Sequence, residues 1–279
     1  MNTKLMTIFT RTPLHVGCGS SVGAVDQPVA RERHTRFPII PGSAIKGVLA
    51  DLWLDRSDID HPKRDGEGTK LLGAESDDAA HAGSLLIGEG KLLAFPVRSA
   101  KHCFAWITCP IILKRFAADC NSSVATLDLG NDAALAPEKL RIDGNVIFEE
   151  YPLPSTQTVP QDIIDEFAKL SEEPTWKDEV KDRLAIVSDE LFAYFAENAC
   201  EIANHNRIDD RTGVVADKAL FSQENVPSET MFYAVINSRE SDDICKLEAK
   251  LKSEKQLLQI GADMTTGLGW CSVAMKEVQ

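Results

Sequence analysis

The stretch Lys4–Trp53, KLMTIFTRTPLHVGCGSSVGAVDQPVARERHTRFPIIPGSAIKGVLADLW, decides how the chain is read. Its first part alternates loosely and is rich in Thr, Ile and Phe, so Lys4–His15 is expected as a strand running into a glycine loop. The loop holds Gly17, Gly19 and Gly23, with Ser20 and Ser21 among them. Beyond a polar segment, Ile45, Val48, Leu49, Leu52 and Trp53 fall on one helical stripe, and Ser43 stands where an N-cap is expected. The opening order is therefore strand, loop, helix. At the far end Thr230–Ile236 reads as a strand, Asp242–Leu258 as an amphipathic helix and Gly269–Met275 as a closing strand. That order suits an α+β sandwich, with helices on one face of an antiparallel sheet.

The middle of the chain is less regular. Leu85–Val97 and Phe104–Thr108 read as strands, and Pro110–Ala118 as a helix. Residues 121–160 look inserted, polar at first and then proline-rich, with a strand at Asn145–Phe148. Asp162–Leu170 and Asp178–His205 are helical by pattern, with breaks near Pro174 and Ser188, and Asn206–Glu224 reads as a hairpin. With 43% hydrophobic residues in 279, the chain can bury a core, which excludes global disorder. No apolar run approaches the roughly 20 residues of a spanning helix, and the opening residues lack the apolar block of a secretory signal. Seven cysteines without a CxxC pair argue against a disulfide framework or structural zinc, and fit a reducing cytoplasm.

A net charge of −13 argues at first against nucleic acid. The distribution reverses that. Residues 1–50 carry six Lys/Arg against Asp26 and Glu32, and residues 91–118 carry Lys91, Arg98, Lys101, Lys114 and Arg115 with no acid. Screening makes such local patches matter more than the total, so an anionic ligand on one face is compatible with acid elsewhere.

The glycine loop is not a dinucleotide fingerprint, because Val22 stands three residues after Gly19. Nor is PGSAIKG a Walker loop, since Lys46 precedes Gly47 rather than Ser or Thr. Glycines nevertheless let backbone N–H groups approach phosphate oxygens. A second such loop, IGADMTTGLGW, carries Gly261, Gly267 and Gly269. Together with the helix start at Ser43 and Lys46, the two loops predict an anion-binding surface. Asp26, the only acid in the first 31 residues, has three open roles. It can form a turn or pair with a nearby Arg, orient a ribose 2′-hydroxyl, or hold Mg²⁺ beside phosphates. His15 can bond a phosphate or shuttle a proton. The histidines show no HxxxH or HxH spacing, so no metal cage is indicated.

Four blocks carry a resemblance. They are HVGCGSSVGAVDQPVARERHTRFPIIPGSAIKGVL, AGSLLIGEGKLLAFPVRSAKHCFAWITCPIILKRF, RIDDRTGVVADKALFSQENVPSETMFY and IGADMTTGLGW. In this order they resemble RAMP proteins of type III CRISPR effectors, nearest to the target-cleaving backbone subunits of type III-B (Cmr) complexes. The resemblance implies a single domain over 1–279 with a ferredoxin-like (RRM-like) palm, inserted fingers and a β-hairpin thumb. Residues 121–187 would be the insertion and 206–224 the thumb. It further implies copies stacked along a CRISPR guide RNA with other Cmr subunits, each cutting complementary target RNA at a thumb-distorted position in antiviral defence. By that resemblance Asp26 is the catalytic residue and holds a divalent metal ion, Mg²⁺ or Mn²⁺. The expected RNA-contact set is His15, Gly17, Gly19, Ser20, Arg31, Arg33, Ser43, Lys46, Arg98, Gly267 and Gly269. The competing expectation is a non-catalytic RNA-binding scaffold.

Overall fold

Strand β1 (Asn2–Thr10) is buried continuously from Lys4 to Thr10, as a central strand covered on both faces must be. That explains its loose alternation. Around it the computed structural model describes residues 2–19, 21, 23–55, 57, 63–74, 81–121, 127, 129–215, 219–240 and 242–278. The palm continues with α1 (Gly42–Asp51), β2 (Gly90–Arg98), β3 (Phe104–Thr108) and α2 (Pro110–Asp119). After α3 (Gln161–Ala168) and α4 (Pro174–Arg183) come β4 (Leu184–Val187), α5 (Asp189–Asn198), β5 (Glu201–His205) and β6 (Phe221–Asn225). The chain closes with β7 (Met231–Ser238), α6 (Asp243–Ser253) and β8 (Trp270–Glu277).

In the main sheet the order β8-β1-β7-β2 is the fourth-first-third-second arrangement of a split βαβ palm, all of it antiparallel. Beyond β2 the sheet extends through β3 and β4 to a short strand, Ala134–Leu135. The β3–β4 pair is parallel. Segment 121–187 therefore contributes two strands to the sheet itself, Ala134–Leu135 and β4.

Three local expectations need correction. Helix α1 begins at Gly42 with Pro41 at its N-cap position, so Ser43 lies in the first turn without capping. The early start follows from close packing: a Cβ on Gly42 would come to 2.8 Å from the Ile87 carbonyl oxygen. The helix expected across Asp178–His205 is interrupted by β4, whose four residues are all fully buried. Such a short apolar run has no period to separate strand from helix. Ser188 then caps α5 by accepting from the Leu191 N–H. The hairpin is also longer than 206–224, since its paired arms are β5 and β6 and start at Glu201. Both glycine loops and the base of this hairpin lie at one end of β1.

Candidate functional site

Immediately after β1 the chain pairs with the outgoing arm of the hairpin. Leu14 and Val226 exchange backbone hydrogen bonds at 2.8 and 2.9 Å. The loop then doubles back, Ala30 N–H donating to the Val16 carbonyl at 2.8 Å. Its tip lies along β6: Gln27 N–H donates to the Ser222 carbonyl at 3.0 Å, and Glu224 N–H to the Gln27 carbonyl at 2.9 Å. The C-terminal glycine loop docks on the same place. Ala262 N–H donates to the His15 carbonyl and Gly269 N–H to that of Pro13. The two glycine loops thus form one surface, joined through residues 13–15.

Gly261 makes that joint possible. It has φ +83°, and a Cβ there would fall 2.2 Å from the His15 carbonyl oxygen. Gly261→Ala is expected to cost at least about 1–3 kcal/mol from backbone strain alone. Urea unfolding of the purified chain checks this; an unchanged midpoint would contradict the packing described.

Asp26 is exposed at the loop tip. Its Oδ2 accepts from the Ser222 N–H at 2.8 Å and from the Ser222 hydroxyl at 2.9 Å. The Asp26 N–H in turn donates to Ser222 Oγ at 3.0 Å. The bond from the Ser222 amide, followed by that from its hydroxyl, holds the Asp26 carboxyl below its ordinary range. The site therefore presents an ionised carboxylate, with Oδ1 accepting no hydrogen bond from another described residue.

Beneath it lies a buried ion pair. Arg31 Nη2 meets Glu224 Oε1 at 2.5 Å, with only 4% and 9% of the two side chains exposed. Glu224 Oε2 accepts from the Val29 N–H at 3.0 Å. Arg31 Nη1 donates to the carbonyls of Ala196, in α5, and Arg36. Arg31 was expected at an RNA backbone; instead its guanidinium ties the loop to the hairpin and to α5. His15 is 5% exposed, and its Nδ1 lies 2.7 Å from the Glu224 carbonyl. A carbonyl oxygen only accepts, so Nδ1 carries the proton and Nε2 faces Gly17.

The other expected contacts divide by whether they are already paired. In the first fifty residues Lys4, Arg11, Arg31 and Arg36 form ion pairs with Glu248 and Glu277, Glu173, Glu224 and Glu197. Arg33 and Lys46 are exposed and have no ion pair among the described residues. The second basic segment is largely neutralised, through Lys91–Asp119, Arg98–Glu149 and Arg115–Glu32. Arg98 also pairs with Glu150 and lines a cleft with Phe104, Glu201 and Glu229. Burial raises the pKa of both those glutamates, which marks acidic surroundings ill suited to phosphate. Arg98 is thus corrected from a backbone contact to part of an acid-lined cleft. Ser43 is exposed on α1, and Gly17, Gly19, Gly267 and Gly269 lie in the joined loops, the last three at positive φ. Ser20 lies outside the described residues.

Sequence reading missed Ser222, Gln223 and Glu224. Gln223, 2% exposed, donates from Nε2 to Asp263 Oδ2 at 2.8 Å and so fastens the second glycine loop to the hairpin. The available signal was the polar run Ser222–Asn225 between apolar flanks, in a segment already expected to be a strand. Among the described residues no group of three or more His, Cys, Asp or Glu is arranged to hold a metal ion. The donor set therefore fits a divalent cation only as one anchoring carboxylate, Asp26, with other oxygens supplied by RNA and water.

The RAMP superfamily model matches residues 7–272. The CRISPR system Cmr endoribonuclease Cmr4 of Pyrococcus furiosus is 34% identical over 292 residues, covering 100% of this chain and 97% of that protein. The crystal structure of oligomeric Cmr4 from Pyrococcus furiosus superposes with a TM-score of 0.76 at 29% identity, over 100% of this chain and 99% of that one. A chain of the type III-B Cmr-beta complex bound to cognate target RNA shares the fold, with a TM-score of 0.77 at 20% identity, over 99% and 97% of the two chains.

Proposed function

The chain belongs to the RAMP superfamily, and from that premise we propose that it is the backbone subunit of a type III-B Cmr effector that binds CRISPR guide RNA and cuts complementary target RNA at Asp26. A relative named as an endoribonuclease aligns over the whole chain, and an oligomeric relative supports stacking of copies along a guide. The observation that carries the reading is Asp26 itself, exposed, ionised and fastened to the hairpin at Ser222. No helix is long and apolar enough to cross a membrane among the described residues, and all seven cysteines are free. We place the complex in the reducing cytoplasm.

RNA carries its own nucleophile. A ribose 2′-oxygen displaces the 5′-oxygen of the next nucleotide when the two lie in line across phosphorus, a geometry that helical stacking prevents. The hairpin exposes Ile202, Ile208, Val214, Val215 and Leu220, an apolar ribbon suited to splaying a strand. Once the strand is splayed, much of the barrier falls through orientation alone. Asp26 then has a limited task beside the distorted linkage. Its lowered pKa makes it a weak proton acceptor near neutral pH, which favours an electrostatic, ion-anchoring role over general base catalysis. A divalent ion held there, Mg²⁺ or Mn²⁺, would supply charge neutralisation of the phosphate. Arg33, Lys46 and the N–H groups of the joined glycine loops are assigned to the guide backbone.

The test is a reconstituted complex given labelled complementary RNA. Fragments at regular intervals are expected, with 2′,3′-cyclic phosphate on one end and 5′-hydroxyl on the other. Chelation should stop the cutting, and added Mg²⁺ or Mn²⁺ should restore it. If wild-type complex retains target but never cuts it, the chain is a scaffold. If fragments carry 3′-hydroxyl ends, the 2′-oxygen is not the nucleophile.

A further inference from the structure

We propose that Ser222 is the positioning residue that aims the Asp26 carboxylate; this rests on Asp26 being the cleavage residue. Three hydrogen bonds connect these two residues, which are 196 positions apart: two into Asp26 Oδ2 and one back from the Asp26 N–H. The Ser222 hydroxyl does two things at once. It donates to the carboxylate at 2.9 Å and accepts from the Asp26 amide at 3.0 Å. Only a group that is both donor and acceptor can close that ring, which restricts the position to Ser or Thr among residues of suitable size.

The geometry also fixes which oxygen is free. With Oδ2 held by two donors, rotation about the Cβ–Cγ bond is arrested and Oδ1 is left as the reactive face. An exposed aspartate without such a grip would sample several rotamers. The flanking bonds, Gln27 N–H to Ser222 carbonyl and Glu224 N–H to Gln27 carbonyl, place the backbone of the loop in register but do not restrain the carboxylate. Restraint of the side chain falls to Ser222 alone among the described residues.

Ser222 also sits on β6, the return arm of the hairpin that carries exposed Val214, Val215 and Leu220 toward its tip. The element that meets the target strand therefore holds the residue that orients the carboxylate. Engagement of the hairpin and aim of Asp26 are properties of one strand.

The experiment compares Ser222→Ala, Ser222→Cys and Ser222→Thr with Asp26→Asn in the fully assembled, guide-loaded complex. Ala and Cys both lack the hydroxyl, so one remains informative if the other assembles poorly. The single-turnover rate at saturating target is expected to fall about 10- to 100-fold in both, as for a misplaced catalytic group, with target affinity held within about twofold. Thr should restore the rate to within about threefold of wild type, because it keeps the donor–acceptor hydroxyl. Loss of affinity in parallel with rate, or failure of Thr to rescue, would overturn the positioning role. Wild-type rates in Ala and Cys alongside an inactive Asp26→Asn would also overturn it while leaving the cleavage assignment intact. An Asp26→Asn complex that cuts at the wild-type rate would remove the premise instead.

Discussion

Asp26→Asn is expected to reduce target cutting by at least about 10²–10³-fold while leaving guide retention and target binding unchanged, on the scale of losing one preorganised electrostatic group. The substitution is close to isosteric. Its remaining carbonyl oxygen can still accept from the Ser222 N–H and hydroxyl, so loop geometry survives and only the charge is lost. Asp26 is exposed and makes no ion pair, so nothing in the fold depends on that charge. The pH dependence sharpens the test. Hydrogen bonds from Ser222 hold the carboxyl below its ordinary value of 3.8, so the ionised form persists from that value upward. Between about pH 5 and 8 the cutting rate should show no limb from Asp26 titration. A rate that rises tenfold per unit through pH 5–6 and loses that slope in Asp26→Asn would mark a proton acceptor with a raised pKa, contrary to the hydrogen bonding seen.

Much of the palm was legible because its elements have a period. Helix α6 buries Ile244, Leu247 and Leu251, a stripe that any helical plot finds. Strand β4 was not legible: Leu184–Val187 is apolar at every position, and its place beside β3 is fixed by contacts some 80 residues away in sequence. The hairpin arms EIANH and FSQEN are polar on both faces, so their pairing left no alternation to follow. At the site, the glycines and Asp26 could be singled out as types suited to anions and RNA chemistry. The residues that hold them could not, because Ser222 and Glu224 gain their meaning only across a separation near 195 residues. Arg31 shows the opposite error. A cation in a basic segment reads as a phosphate contact until burial and a carboxylate partner are seen together.

Separating that partner from Arg31 is the other change with a large expected effect. Arg31→Met leaves the Glu224 carboxylate buried with the Val29 N–H as its remaining donor, and leaves the Ala196 carbonyl without its own. Glu224→Leu leaves a guanidinium that is 4% exposed without its counter-charge. Either change should destabilise the chain by about 3–5 kcal/mol in urea unfolding, the scale for breaking a buried pair. The double variant should cost less than the sum, since no uncompensated charge remains. A loss below about 1 kcal/mol in both single variants would show that the pair behaves like a solvated surface bridge, and would contradict its burial. The same cut should slow cleavage under conditions where the chain stays folded. Val29 N–H and the His15 ring both meet Glu224, one through its carboxylate and one through its carbonyl, so both sides of the Asp26 loop hang on that residue. Freed from it, the loop keeps Asp26 in the chain but loses the register that brings it to Ser222.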